Sequence, residues 1–525
     1  MNTDERIAKL EAENATLKSR VAELSALNHW YEEQFRLAKH RLYGSSSEKT
    51  QACTGQTSIF NEVEITADEN TKESEIEQIA GHKSKKRKGK RDELYKGIPT
   101  EQVVHELPEN ERFCAQCGGK LHACGHEVLR KELEIIPAQV RALEHVQTVY
   151  SCRSCEKNAV DDSVPMVKSS VPVPVIQGSG IASPSLLAYI LCNKYVLALP
   201  LNRQEQEFER VGVCLSRQTM ANWMIYAANH WLKPIYELLK AELIQNDILH
   251  ADETTVQVIK DGRPANTQSY MWLYRTMERA EKPAVLFEYQ PTRSSGHPLQ
   301  FLSGYGGYLQ VDGFQGYHIL EPQGVTIVEC WSHARRKFHD ALKALAKADR
   351  AYAPANDGYV YCNRLFTLED EYDKQKLTID ERLERRLRES KPIADEFFDW
   401  AEQTSLGDFF LPKSTFGQAV TYAKNQRQWL MNVYLDGRLS ISNNLAERSI
   451  RPFTIGRNNW LFAYSPKGAD SSAVAYSIVE TAKANNLVPM AYLQFLFEKL
   501  PNLPPARFHE CLPWSDAVQL RCLVR

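Results

Sequence analysis

From residue 246 to residue 333 the chain changes from helical to strand-like patterning, and the order of elements written there restricts the fold more than any other feature. DILHADETTVQVI is a β-branched run, and YMWLYRTM and AVLFEYQP are two further strand candidates. HPLQFLSGY then reads as a short helix. GYLQVDGF follows as a fourth strand ending in Asp312, and VTIVECWSHARRKF as a fifth strand running into a helix.

Three strands, a helix, a strand and a strand–helix unit are the order of a ribonuclease-H-like mixed sheet. In such a sheet the first and fourth strands are neighbours, so Asp252 in the first and Asp312 at the end of the fourth converge on one cation pair. Magnesium takes hard oxygen ligands, and one or two carboxylates together with substrate phosphate satisfy it. A third acid has to arrive from a helix. NNLAERSIRPFTIGRNNW supplies Glu447, followed by Arg448, Arg451 and Arg457 as phosphate partners. Each acid also has a plainer reading: Asp312-Gly313 is a common turn dipeptide, Asn444-x-x-Glu447 reads as a capping box, and Asp252 or Glu253 can face solvent at a strand end. With 66 Asp and Glu in the chain, three of them carry weight only through the elements they sit on.

At 525 residues the chain exceeds what one core organises, so three or four modules are expected in a multidomain α+β arrangement. The net charge of -2 does not advertise nucleic acid, yet the basic residues are clustered, and distribution matters more than the sum. MNTDERIAKLEAEN is charged and has no apolar segment of the secretory kind. The most apolar stretch, Leu186 to Leu201, is interrupted by Asn193 and Lys194 and falls short of the ~20 apolar residues of a membrane span. Twelve cysteines suggest metal ligands and scattered buried thiols rather than a disulfide framework. The expected location is the cytoplasm, at the nucleoid, with no membrane partner.

The modules before the sheet are read in turn. In residues 1–49, Ile7, Leu10, Leu17, Val21, Leu24 and Tyr31 trace a heptad seam with Asn14 and Asn28 at a positions, the pattern of a short parallel dimerising coiled coil. The alternative is a helix packed on its own domain. Residues 50–100 form a basic flexible linker whose run from His82 to Arg91 holds seven Lys or Arg; it is either inert or a DNA contact. In residues 101–170, Cys114-x-x-Cys117 and Cys152-x-x-Cys155 stand 34 residues apart. Two such knuckles complete the tetrahedron of a structural zinc with no place for water, against the alternative of unrelated thiols or a redox pair. Cys124, His122 and His126 are weaker substitute ligands. Residues 175–240 are helical: a first helix over 183–198, a second over 201–210, a turn containing Gly212, and a third capped by Ser216 that bears Arg217, Gln218, Asn222 and Trp223. This is helix-turn-helix-like, with polar side chains where base edges would be met, or else a plain helical hairpin.

From end to end the chain resembles the IS66 family of insertion-sequence transposases. The resemblance is carried in order by RLYGSSSEK, the paired Cys-x-x-Cys module, LPLNRQEQEFERVGVCLSRQTMANW, LHADET, LQVDGFQGY, CWSHARRKF, NNLAERSIRPFTIGRNNWLF and SIVETAKANNLVP. It implies a DDE-type transposase with an acidic triad of Asp252, Asp312 and Glu447. It further implies two magnesium ions (manganese as a substitute), a structural zinc, and transposon-end and target double-stranded DNA as partners, with a homodimer or higher assembly and small companion proteins of the same element. It also accounts for the 134 residues between Asp312 and Glu447 as a helical insertion, 334–411, between catalytic segments 246–333 and 412–485, with 486–525 as a C-terminal region. Cys330-x-x-His333 opens the insertion; similar pairs recur in related transposases, while alone the pair reads as a buried Cys and a surface His. The implied reaction is hydrolysis at the element's end, then attack of the exposed 3'-hydroxyl on target DNA. A non-catalytic DNA-binding regulator or decayed transposase, and a nuclease relative that never joins strands, are the competing classes.

Overall fold

The computed structural model describes Asn14, Lys18 and residues 139–151, 166–178, 181–264, 267–346, 348–407 and 410–524. The heptad seam other than Asn14, the GSSSEK segment, the basic run from His82 to Arg91, and Cys114, Cys117, Cys152 and Cys155 lie outside the described residues. Residues 147–524 fall in one compact unit and 49–146 in another; of the latter, 139–146 are described, exposed and without regular secondary structure.

An antiparallel ribbon comes first, β1 (Val149–Ser151) on β2 (Met166–Lys168). Four helices follow: α1 (Pro184–Tyr195), α2 (Leu201–Arg210), α3 (Arg217–Ala227) and α4 (Lys233–Ile244). Their ends are set locally. Ser183 accepts the Leu186 N–H at 3.1 Å and Pro184 takes the first helical position, where no intrahelical bond is lost. Gly212 turns the chain at φ +80°, a conformation that favours glycine, and Ser216 caps α3 by accepting the Thr219 N–H at 3.1 Å. Met220, Trp223, Met224 and Ala227 are buried along one face of α3, so Trp223 belongs to the core. Arg217, Gln218 and Asn222 are exposed on the other face.

The sheet has five strands in the order β5-β4-β3-β6-β7: β3 (Ile248–Gln257), β4 (Gln268–Thr276), β5 (Val285–Gln290), β6 (Tyr308–Val311) and β7 (Thr326–Glu329). The first three form an antiparallel meander, and β6 and β7 continue from β3 in parallel. Helix α5 (Gly296–Phe301) makes the crossover to β6, and the 3-10 run Gln315–Gln323 makes the one to β7. Strand β5 is an edge. Its exposed N–H groups are met by a helix: those of Val285 and Phe287 donate to Thr481 Oγ1 at 3.0 Å and Ser477 Oγ at 2.7 Å, both on α12 (Pro466–Ala484).

Beyond β7, α6 (Trp331–Lys343), α7 (Pro354–Gln375), α9 (Lys391–Ser405) and α10 (Thr415–Met431) build a second apolar core around Trp331, Phe338, Phe397 and Phe398, and the short α8 (Ile379–Arg385), which buries no residue, links α7 to α9. Trp331 Nε1 donates to the Leu430 carbonyl at 3.0 Å, so α10 closes on this helical body although its residues follow the insertion boundary read at 411. Helix α11 (Asn444–Trp460) then returns to the sheet, and α12, α13 (Pro489–Lys499) and α14 (Asp516–Cys522) complete the chain. Among the described residues no helix is long and apolar enough to cross a membrane.

Candidate active site

Parallel pairing sets the first two acids side by side. Ile248 lies opposite Tyr308, Leu249 opposite Leu309 and His250 opposite Gln310, and the same register continued two residues sets Asp252 opposite Asp312. Side chains alternate across a strand, so Asp252 points to the face opposite that of the buried Ala251, and Asp312 follows directly on the buried Val311 that ends β6. Asp252 Oδ1 accepts the Glu253 N–H at 2.9 Å; Asp312 Oδ1 accepts the Phe314 N–H at 3.0 Å, which fixes a turn as the sequence reading allowed.

The third acid comes from α11, and the loop before that helix is stitched to both strands. Gln310 donates to the Ser440 carbonyl at 2.6 Å and accepts the Ser440 N–H at 3.0 Å. Asn443 accepts from His250 Nδ1 at 3.0 Å, donates through Nδ2 to the Ala251 carbonyl at 2.8 Å, and gives its own N–H to Cys330 Sγ at 3.1 Å. Trp331 N–H donates to the Ile441 carbonyl at 3.0 Å. Asn443 is therefore the N-cap residue but makes no side-chain cap, and the capping box offered for Asn444 and Glu447 is not formed. Glu447 sits in the first turn of a helix whose start is nailed beside Asp252. Its Oε1 is 3.8 Å from His333 Nε2 and its Oε2 3.7 Å from Arg336 Nη2, both on α6.

Negative charge accumulates here. Burial holds Asp252 well above the usual carboxylate range, and the Glu253, Asp312 and Glu447 carboxylates push it in the same direction. Burial and Asp312 also raise Glu253, whose side chain is only 2% exposed, against Arg293 and Tyr317. Arg293 Nε donates to Glu253 Oε1 at 2.8 Å, stands 3.9 Å from Asp312 Oδ2 and lies 3.8 Å over the Phe314 ring. Tyr317 Oη donates to Glu253 Oε2 at 2.6 Å. Glu253 is thus a paired interior residue and does not face solvent. Burial opposes the charge on His333, but Cys330, Asp312 and Glu447 outweigh it and push the ring up to about 9. Cys330 is buried as the sequence reading had it, whereas His333 is half-buried and turned toward the acids rather than a surface residue.

Among the described residues no group of three or more His, Cys, Asp or Glu is gathered tightly enough to hold a metal ion. The acids share an electrostatic field rather than a ready cage. Their chemistry nonetheless fits a hard divalent cation: all donors are carboxylate oxygens, burial and then the neighbouring carboxylates disfavour the negative charge on Asp252, which a cation would relieve, and Glu447 Oε1 is buried with no hydrogen-bond partner. A cavity of about 680 Å³ opens beside Asp312 and His333, walled on its far side by α10.

The remaining candidates are distributed. Arg448 and Arg451 are exposed on α11. Arg457 is half-buried and engages β3, donating to Thr254 Oγ1 at 3.1 Å and to the Thr255 carbonyl. Arg217, Gln218 and Asn222 lie on α3 in the preceding helical segment, with Gln218 Nε2 donating to Asn222 Oδ1 at 3.2 Å. Sequence reasoning missed Arg293, Tyr317, Asn443 and Arg336. Of these only Asn443 carried a signal, an Asn pair heading the block that bears Glu447.

Comparison with known proteins bears on the whole chain. A family model described as Transposase IS66 family matches residues 179–471, one described as zinc-finger binding domain of transposase IS66 matches 111–156, and one described as IS66 C-terminal element matches 477–514. A fourth, described as Transposase C of IS166 homeodomain, matches 30–103. Among curated relatives, the uncharacterized protein y4hP of Sinorhizobium fredii is 31% identical over 80% of this chain and 75% of its own length. The uncharacterized protein y4qI of the same organism is 28% identical over 97% of this chain and 92% of its own.

Proposed function

The chain belongs to the IS66 transposase family, and from that premise we propose that it is a DDE-type DNA transposase that cleaves the ends of an insertion sequence and joins them to target DNA through Asp252, Asp312 and Glu447. One observation carries the reading. Acids far apart in sequence come together from the middle of β3, the carboxyl end of the parallel strand β6 beside it and the first turn of the helix pinned to them, with a mutual repulsion that Asp252 registers. The strand order, an antiparallel meander continued by two parallel strands, supports a ribonuclease-H-like core.

Two divalent ions, magnesium or its substitute manganese, would be held by Asp252, Asp312 and Glu447; when bound they supply Lewis-acid activation of the attacking oxygen and neutralise the departing one. Metals of this kind are commonly bound by one or two carboxylates plus substrate phosphate, so a closed protein cage is not required. Arg293 and Arg336 orient the carboxylates they stand beside. Arg448 and Arg451 meet backbone phosphates, and Arg457 does so from a position where it also holds α11 on β3. No nucleophilic side chain is needed, because the attacking groups are water in the first displacement and the exposed 3'-hydroxyl in the second. Helix α3 presents Arg217, Gln218 and Asn222 to base edges. The zinc-finger module takes its metal on Cys114, Cys117, Cys152 and Cys155, a closed four-thiolate set suited to folding and not to catalysis. A homodimer or higher assembly on paired ends, with small companion proteins of the element, completes the reading.

The test uses full-length protein, magnesium and duplexes carrying the terminal repeats that flank its gene. Wild type is expected to free a 3'-hydroxyl at the element end and join it to a second duplex, while Asp312→Ala binds the ends and cleaves only at background. Undiminished cleavage by Asp312→Ala removes that residue from the site, and a wild-type chain that binds ends without ever nicking them is a regulator instead.

A further inference from the structure

The cavity beside Asp312 has the chemistry of a nucleotide site. Its far wall is one face of α10, where Gln418, Tyr422, Asn425 and Gln426 recur at helical spacing. Three carboxamides and a phenol on one wall offer mixed donors and acceptors, the complement of a base edge and not of an apolar ligand. Two of these groups are unspent: Gln426 is only 4% exposed, and both its Oε1 and the Tyr422 Oη are buried with no hydrogen-bond partner. Buried polar atoms are normally paired, so two orphans on adjacent turns of the helix that walls the cavity, closed off as they now stand, point to a ligand whose entry turns those side chains toward it and pairs them.

The rest of the lining is cationic and aromatic. Arg293 stands 3.8 Å over the Phe314 ring, and Lys337 Nζ reaches the α10 wall itself, 4.7 Å from the centre of the Tyr422 ring. The Tyr422 hydroxyl packs so closely on Gly313 that a Cβ there would collide with it, which joins this wall to the turn that carries Asp312. The volume, about 680 Å³, lies within the ordinary range for pockets that enclose a small molecule, roughly 300–1,000 Å³.

We propose that this cavity receives a single nucleotide of the DNA end, unstacked from the duplex next to the scissile phosphate, with its base on Tyr422 and Gln426 and its phosphate between Arg293 and Lys337. The proposal rests on the reading of Asp252, Asp312 and Glu447 as the cleavage site. Extrusion costs stacking and pairing energy, which contacts to the base edge and to a stacked cation repay. It would also set the strand's direction at the acids, since a nucleotide held in the cavity leaves one phosphodiester beside Asp312.

The experiment uses full-length protein and terminal-repeat duplexes with 2-aminopurine substituted singly at the nucleotides flanking the cleavage position. Calcium replaces magnesium, so that binding is read without cleavage. The expected result is a several-fold rise in fluorescence at one flanking position and none at positions further inside the element. Gln426→Leu, which removes an unpaired buried amide and so should fold, is expected to cut that rise to less than half and slow magnesium-dependent cleavage about tenfold, the size of one lost base contact. That penalty should shrink on a duplex abasic at the same position. Cleavage by wild type with no fluorescence rise at any flanking position overturns the pocket and leaves the transposase reading intact. A localised rise sensitive to Gln426→Leu, with no cleavage in magnesium, upholds the pocket and overturns that reading. An equal Gln426→Leu penalty on intact and abasic duplexes also overturns the pocket.

Discussion

Asn443 shows how much of the site depends on one side chain. Its amide satisfies a buried imidazole and a strand carbonyl at once, while its backbone N–H reaches the Cys330 sulfur. Its carbonyl group accepts from His250, so the His250 ring carries its proton on Nδ1, and burial, which lowers that ring's affinity for a second proton to about 4, keeps it neutral. Asn443→Ala strands both partners in the interior. At about 1–3 kcal/mol per unsatisfied buried group, the variant should lose roughly 2 kcal/mol or more of stability, read as a lower urea midpoint. End cleavage should fall further than the unfolded fraction accounts for, because Glu447 loses its anchor; cleavage that simply tracks stability would reduce Asn443 to a packing residue. A second residue answers to pH. Burial raises Glu288 from 4.5 to about 7, and its Oε2 has no partner. The folded state thus favours the protonated carboxyl, so its contribution is complete below pH 4.5 and is lost as pH rises through about 7. Glu288→Gln should therefore be nearly neutral at pH 4.5 and gain stability by pH 8, by up to about 3 kcal/mol, in urea titrations at the two pH values. An equal effect at both would show that the carboxyl is solvated.

At the scale of elements, the helical insertion stands on its own polar pin. Arg386 grips Glu369 with Nε to Oε1 at 2.6 Å and Nη2 to Oε2 at 2.7 Å, where α7 meets the turn between α8 and α9. Arg386→Ala removes two of the three arginine bonds on Glu369 and leaves the buried carboxylate only Arg382, 3.0 Å away, so it should cost about 3 kcal/mol in denaturant unfolding, while replacing Arg386 and Glu369 together by Met and Leu should cost less. A small loss in the single variant would mean that Arg382 alone satisfies Glu369. The elements that sequence pattern reveals are those whose apolar spacing is self-sufficient. The five strands follow β-branched and aromatic runs, α6 follows Trp331, Ala334, Phe338, Ala341 and Leu342 at helical spacing, and Ser216 announces α3 by its cap. The 3-10 run Gln315–Gln323 is silent, because GFQGYHILEPQG has no sustained period, contains Pro322 and ends on a left-handed Gly324 at φ +90°. Trp223, placed by the sequence reading on the same helix as Arg217, Gln218 and Asn222, is buried with Met220, Met224 and Ala227 on its inward face. The placement of Asp252 on β3 and of Asp312 just after β6 was legible because the order of strands sets those two side by side, and Glu447 was legible as a residue of a helix from the block that bears it. Asn443 and Arg293 were not, since their meaning lies in partners 193 and 40 residues away.

For the molecule as a whole, the proposed joining of two element ends requires two sets of acids held at one place, and on that proposal Asp252, Asp312 and Glu447 are one set. Pairing of chains would then be a functional demand, and the heptad residues Ile7, Leu10, Leu17, Val21 and Leu24, with Asn14 and Asn28 at a positions, are the segment of the sequence whose pattern suits it. Asparagine at a weakens a coiled coil but restricts it to one register and to two strands, which suits a device that must align two copies and not merely gather them. Hydrolysis at a single end needs only one copy of Asp252, Asp312 and Glu447. A chain lacking residues 1–49 should accordingly still nick a single terminal-repeat duplex at close to the full-length rate. It should fail to hold two ends in one complex, and the concerted joining of both ends should fall by about 10²-fold or more, as expected when an intramolecular step becomes a bimolecular one. Native gels with two differently labelled ends, together with sedimentation of the protein alone, separate the outcomes. If the truncated chain still pairs ends and sediments as the full-length protein does, the heptad helix packs within its own chain and dimerisation belongs to another surface.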